Sequence, residues 1–292
     1  MAKKKSSVMS NMTESGKAAQ LYTYGVTPTF YRNQVSKHQQ ERPTNKRKST
    51  RYTWPTFFPI AFGLQFKKLV NIFYIITGIL NMFRTIQVNS PIVVLVPTFL
   101  IMMIGVAKEF ASELKRYYQD KKMNATPVQT LIVPGSQKFV AGASTGLNFD
   151  LVTLADVKVG DIIKIEDGKE VPADCILLRV ADNKPECFVK TANLDGERNL
   201  KPKLANEMLS MHLENIFGPK SDQSNIQLSI TCIEPQKELY YFEGRLKASL
   251  PDEPEYKMNL DLNQFLHRGS SIENSGHVIA MVVYTGVETK LI

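Results

Sequence analysis

Cysteine and histidine are scarce in this chain of 292 residues, with three of the first and four of the second. Cys175, Cys187 and Cys232 show no C-x-x-C spacing, which excludes a disulfide framework and a sequence-evident zinc site. They read as thiols kept reduced in a cytosolic compartment. His38, His212, His267 and His277 are scattered, so no Ser/His/Asp triad or histidine-rich metal cluster can be assembled from spacing, and no metal ligand is assigned. No phosphate-cradling G-x-x-x-x-G-K-[ST] loop and no internal repeat is present. Acidic residues are nearly missing from the first 68 positions, where two face thirteen Lys/Arg, a balance of +11; the remainder carries −3.

Disorder is excluded for the chain as a whole by 43% hydrophobic and 22% charged residues. A basic head on a slightly acidic body suggests a nucleic-acid arm, a membrane-facing tail or a topology signal. Met1 to Arg51 carries no groove-reading motif, so nucleic acid is not an expected partner. A mean hydropathy of −0.17 conceals two apolar runs between Leu69 and Ala107.

The first run, Leu69 to Phe83, is uncharged for 15 residues and lies between Lys67-Lys68 and Arg84. The second, Thr85 to Ala107, is uncharged for 23 residues. A membrane-spanning helix takes about 20 residues. The second run qualifies, and the first does so once its edges are counted with Lys and Arg heads snorkelling to the interface. The expectation is a two-helix hairpin with spans at about 66–86 and 88–107, opened on its second arm by Pro91. Two helices buried in a soluble core are the competing reading; Pro91, Pro97 and the length of the uncharged stretch disfavour it. Lys and Arg on both outer flanks predict that both ends face the cytosol. Charges at helical spacing from Glu109 to Arg116 predict a stalk continuing the second span.

Beyond about Asn124 the texture becomes β-like. Short apolar runs at Val128–Val133, Ile162–Ile165, Cys175–Val180, Cys187–Lys190, Ile226–Cys232, Leu239–Phe242 and Val278–Tyr284 alternate with turn signals. This predicts an all-β sandwich or jelly-roll. One interruption, Leu200–Ile216, is rich in Leu, Met and Glu and predicts a helix ending at Gly218-Pro219.

The one compact constellation is Thr191-Ala-Asn-Leu-Asp-Gly-Glu-Arg-Asn-Leu200. Asp195-Gly196 is a turn dipeptide, and a turn between strand and helix would hold Glu197 out from the surface. A carboxylate so held can take a proton from water; a solvated loop glutamate is the other reading, and spacing alone favours it. Val171-Pro-Ala-Asp174 reads as a strand edge with a turn-favouring aspartate.

The chain resembles the amino-terminal part of P4-type ATPases, the phospholipid flippases. The segments that carry the likeness are Phe66–Met82, Ser90-Pro91, Val171–Asp174, Thr191–Glu197, Asn199–Lys201, Phe242–Gly244, Arg268–Ser270 and Tyr284–Lys290. The resemblance implies a membrane protein of α+β class: residues 1–50 as a basic disordered tail, 51–122 as an amphipathic lead-in, hairpin and stalk, and 123–292 as a β-rich, distorted jelly-roll actuator domain with a helical insertion near 200–217. It implies that Glu197 activates the water that hydrolyses an aspartyl-phosphate, with Asp195 and Gly196 shaping the loop.

Arg198 stands where the family carries threonine and can contact phosphate or Glu197. Asn81 and Gln87 are candidates for the lipid path. ATP and Mg2+ are implied for the complete enzyme and not for this chain alone, because the phosphorylation and nucleotide-binding domains lie beyond its end. The resemblance further implies a phospholipid substrate moved from the outer to the cytosolic leaflet, a two-span accessory subunit, and a plasma or Golgi/endosomal membrane. The alternative reading is a non-catalytic, membrane-anchored regulatory module derived from a flippase.

Overall fold

A computed structural model of the chain describes residues 21–24, 43–83, 90–131, 149–207, 209–211, 227–249 and 256–290. These divide into a helical unit, Arg47–Ala125, and a β-rich unit built from Met1–Lys46 and Thr126–Ile292.

Prolines set the helix starts of the first unit. Helix α1 (Trp54–Gln65) has Pro55 in its first turn, where the missing N–H would have no helical partner anyway. After Phe66-Lys67-Lys68 the chain resumes as α2 (Leu69–Leu80), bent by 75° from α1. The expected span at 66–86 is therefore not one continuous helix. The break is stabilised locally: Asn71 Nδ2 donates to the Gln65 carbonyl (2.9 Å), and Lys68 Nζ to the Gln65 side chain (2.8 Å). Of the turn expected at Arg84–Ser90, residues 84–89 lie outside the described residues and Ser90 stands at the N-cap of α3.

Helix α3 (Pro91–Asn124) runs for 34 residues, about 50 Å at the usual rise. Among the described residues it is the one helix long and apolar enough to cross a membrane; α1 and α2 meet that test only together, as a bent pair. Gly78 of α2 packs on Leu95 of α3 so closely that a Cβ would collide with it. The charged end of α3 has its own partner: Glu113, Asp120 and Asn124 lie on one helical face. They accept the backbone N–H groups of Arg51 (3.1 Å), Ser49 (2.7 Å) and Arg47 (2.7 Å). That strap explains why Glu113 and Asp120 are buried.

Among the described residues, three antiparallel sheets make the second unit. The largest has the order β11-β5-β13-β4-β2-β3, from β2 (Pro127–Leu131), β3 (Phe149–Thr153), β4 (Ile162–Glu166), β5 (Asp174–Val180), β11 (Phe265–Leu266) and β13 (His277–Tyr284). A second has the order β1-β8-β9-β10, from β1 (Leu21–Tyr24), β8 (Gln227–Ile233), β9 (Gly244–Ser249) and β10 (Tyr256–Leu260). The third, β12-β6-β7, comprises β6 (Glu186–Lys190), β7 (Leu200–Leu204) and β12 (Ser271–Glu273). Side chains of β13 alternate between two cores: Ile279, Met281 and Val283 enter one, Val278, Ala280 and Val282 the other. A strand buried on both faces is continuous in hydrophobicity, as this one is.

Two expected elements differ. Leu200–Leu204, predicted helical, is strand β7, paired with β6 from Glu186↔Leu204 to Lys190↔Leu200. Pro202 decides it, since a proline ruins a helix interior yet is tolerated on the edge strand that β7 is. Residues 212–217 of that prediction lie outside the described residues. Leu239–Phe242, predicted as strand, is turn and coil. Carbonyls of this segment and of the preceding Glu238 are satisfied by buried side chains in place of a ladder: Lys290 Nζ donates to Glu238 (2.8 Å) and Tyr241 (2.6 Å), and His267 Nε2 to Leu239 (2.8 Å).

The expected tail at 1–50 overlaps described structure twice. β1 pairs with β8 from Leu21↔Ile233 to Tyr24↔Ile230. Farther on, Asn45 is fully buried, its amide donating to the carbonyls of Leu154 and Pro172 (both 3.0 Å) while its oxygen accepts from the Gly286 N–H (3.3 Å). Asn45→Ala leaves those groups buried and unsatisfied. A loss of about 2–3 kcal/mol in stability is expected, read as a lower denaturation midpoint; an unchanged midpoint would contradict the role given to Asn45.

Asp174, predicted as a turn residue, is fully buried at the head of β5. Its two carboxylate oxygens accept the N–H groups of Arg268 (2.8 Å) and Lys290 (2.7 Å). Burial pushes its carboxyl up from 3.8 to about 6, against those two donors. Burial pushes the neighbouring His267 down from 6.5 to about 4. The signs oppose. Asp174 lends stability that is full below about 4 and lost as pH rises through about 6. His267 lends stability that is full above about 6.5 and lost as pH falls through about 4. Each slope amounts to roughly 3 kcal/mol, and they offset each other over one window. His267→Gln should unmask the Asp174 slope: its Tm relative to the parent rises steadily as pH falls from 6.5 to 4. A constant Tm difference across that range would contradict the assignment.

Candidate functional site

Strands β6 and β7 form a hairpin whose ladder closes at Lys190↔Leu200, so Thr191–Asn199 is the connection between two strands rather than between a strand and a helix. It opens with one helical turn, α4 (Ala192–Asp195), and leaves it through Gly196 at φ +78°. That backbone region favours glycine, which accounts for the Asp-Gly pair.

Asp195 is the centre of the connection. Its carboxylate accepts Thr191 Oγ1 (3.0 Å), the Glu197 N–H (2.9 Å), Lys201 Nζ (2.6 Å) and Tyr240 Oη (3.1 Å). The Lys201 ammonium, in direct hydrogen bond, holds the Asp195 carboxyl well below the usual carboxylate range. Asp195 and then Glu197 push the Lys201 ammonium up in return, and Asp195 does the same to the Tyr240 hydroxyl. The Lys201 ammonium also lies 5.4 Å from the centre of the Tyr240 ring.

Glu197 stands two residues past Asp195 with its side chain 58% exposed, and Oε2 meets the same Lys201 Nζ at 2.9 Å. One ammonium thus serves two carboxylates. Arg198 is exposed and forms no ion pair among the described residues. The loop therefore presents an outward carboxylate, able to accept a proton, beside an exposed guanidinium.

Asp195, Gly196, Glu197 and Arg198 thus share one connection. Asn81 belongs to the helical unit, buried at the end of α2, its Nδ2 donating to the Thr77 carbonyl (2.9 Å). Gln87 lies outside the described residues. Sequence reasoning gave no role to Lys201, Thr191 or Tyr240. Lys201 left a faint signal, a cation close behind two acids. Tyr240 left none, because 45 residues separate it from Asp195 and its segment was read as strand. Among the described residues no group of three or more His, Cys, Asp or Glu converges on a metal-sized site.

Comparison with known proteins covers both units. Residues 30–95 match the family model of the phospholipid-translocating ATPase N-terminal region, and residues 136–291 that of the P-type ATPase actuator domain. Probable phospholipid-transporting ATPase 11 of Arabidopsis thaliana is 30% identical over 271 residues, 92% of this chain and 21% of that protein. Phospholipid-transporting ATPase 10 of the same plant is also 30% identical over 271 residues, with the same coverage. Probable phospholipid-transporting ATPase IIB of Mus musculus is 27% identical over 254 residues, 87% of this chain and 20% of that protein. The chain spans about a fifth of the length of the curated relatives it matches. With one family model on each stretch and relatives of a single kind running across both, the chain belongs to the P4-type ATPases, the phospholipid-transporting branch of the P-type family.

Proposed function

We propose that this chain supplies the actuator step of an ATP-driven phospholipid translocase, with Glu197 as the base that dephosphorylates an aspartyl-phosphate. The observation that carries the reading is the outward Glu197 carboxylate, tied at its backbone to Asp195 and at its tip to Lys201. In this reaction a water oxygen attacks phosphorus and the bond from phosphorus to the acyl oxygen breaks. Glu197 takes the water's proton, leaving aspartate and inorganic phosphate. Arg198, exposed beside it, contacts the phosphate oxygens. Gly196 supplies the turn that no side chain tolerates well.

In this reading ATP and Mg2+ supply the phosphoryl group and its charge neutralisation in the complete enzyme. The described residues offer no cluster suited to the metal, so no step is assigned to this chain through either group. The β-rich unit is read as the distorted jelly-roll of an actuator, and α2 and α3 as the two-span hairpin with both outer ends cytosolic. The apolar surface of these helices supports the second point: Leu69 is 81% and Ile104 68% exposed. Phospholipid moves from the outer to the cytosolic leaflet of a plasma or Golgi/endosomal membrane, with Asn81 and Gln87 near its path and a two-span accessory subunit as partner.

The phosphoenzyme is the direct readout. A chimera of phospholipid-transporting ATPase 10, carrying this chain in place of its matching region, can be phosphorylated and chased. Glu197→Gln should slow phosphoenzyme decay by at least about a hundredfold, the ordinary contribution of a general base. Decay equal to the parent chimera's would remove Glu197 from the chemistry and favour the alternative, a non-catalytic regulatory module.

A further inference from the structure

We propose that Lys201 is a positioning residue for the Glu197 carboxylate; this rests on the reading of Glu197 given above. An exposed glutamate at a loop tip samples many rotamers, and fixing it demands a partner that is itself fixed. Lys201 meets that condition. Its Cα sits in the β7 ladder opposite Val189, and its ammonium is held by Asp195 at 2.6 Å. Asp195 in turn is held by Thr191 and Tyr240, the latter from a segment 45 residues away in sequence. From this anchored point the ammonium reaches Glu197 Oε2 at 2.9 Å.

The alternative anchor is Arg198, which directly follows Glu197. Among the described residues it makes no ion pair, so orientation does not come from there. Charge also argues for Lys201. Asp195 and Glu197 place two negative groups two residues apart, where an incoming phosphoryl group adds more. A single shared cation lowers that repulsion and keeps both carboxylates in place. As an isolated surface pair the Lys201–Glu197 bridge would be worth little for stability. Its value lies in orientation, since a misplaced catalytic group costs rate far more than it costs folding.

The test uses the phosphoenzyme chimera together with the full chain in detergent micelles. Lys201→Gln should slow phosphoenzyme decay about tenfold, and Lys201→Arg should hold it near the parent rate. The double variant Lys201→Gln/Glu197→Gln should decay no slower than Glu197→Gln alone, because the lysine acts only through the glutamate. In the micelle-bound chain, carboxyl-carbon NMR should show the Asp195 titration moving up toward the ordinary carboxylate range in Lys201→Gln and staying low in Lys201→Arg. Normal decay in Lys201→Gln alongside stalled Glu197→Gln overturns this proposal and leaves the role of Glu197 intact. Normal decay in Glu197→Gln overturns both. A double variant slower than Glu197→Gln, or a Lys201→Gln protein that unfolds many degrees early, marks Lys201 as a fold residue and also overturns it.

Discussion

Strand β13 is the constraint on which the β-rich unit depends. It pairs with β4 on one side, from His277↔Glu166 to Met281↔Ile162, and with β5 on the other, from Val278↔Val180 to Tyr284↔Asp174. Its alternating side chains fill two separate cores, so a shift of one residue would exchange every contact between them. The register also delivers Tyr284 opposite Asp174. Just beyond it, Lys290 is brought where its N–H meets the Asp174 carboxylate and its ammonium meets three carbonyls of the 236–241 segment. Burial pushes that ammonium's pKa down, and the three acceptors explain how the group is tolerated there.

The consequence reaches the loop. The segment held by Lys290 and His267 is the one that carries Tyr240, whose hydroxyl donates to Asp195. The buried Lys290 ammonium and the exposed Glu197 carboxylate are thereby joined through the 236–241 backbone and the side chains of Tyr240, Asp195 and Lys201. The carbonyls that Lys290 and His267 meet lie outside regular secondary structure and are satisfied by side chains in place of neighbouring strands. The loop is held at Asp195 by these contacts, while the Glu197 side chain remains 58% exposed.

The helical unit follows a different logic. Its apolar helices α2 and α3 are exposed along most of their length, while the charged end of α3 is covered by residues 47–51 through backbone donors. The strap uses the side chains of Glu113, Asp120 and Asn124, which recur on one helical face. Only Glu113 fell in the stretch read at helical spacing, Glu109 to Arg116; Asp120, Asn124 and the partner they meet did not. A backbone N–H has no letter of its own, so a strap built from such donors leaves no pattern to read.

Several elements were legible at once because their signal is local. The 23 uncharged residues before Lys108 and the run Val278–Tyr284 fix α3 and β13 by composition alone. Asp195-Gly196 announced a turn, and Gly196 does take the left-handed conformation there. Composition misled where it was allowed to outvote a single residue, as in Leu200–Leu204, where Pro202 forbade the predicted helix. It misled again at Leu239–Phe242, where long-range donors replaced a ladder. The amino-acid sequence by itself determined the apolar helices α2 and α3, six of the thirteen strands among the described residues and the loop that carries Glu197, because each follows from neighbours a few residues apart. Only the tertiary structure decided that one lysine holds both loop carboxylates, that Tyr240 closes the set, and that Asp174 is buried. The Tyr240 and Asp174 contacts join positions 45 to 116 residues apart, and no local pattern encodes a distance of that kind. The lysine lies only four and six residues from its carboxylates, and there the β6–β7 hairpin, not the spacing, sets the contact.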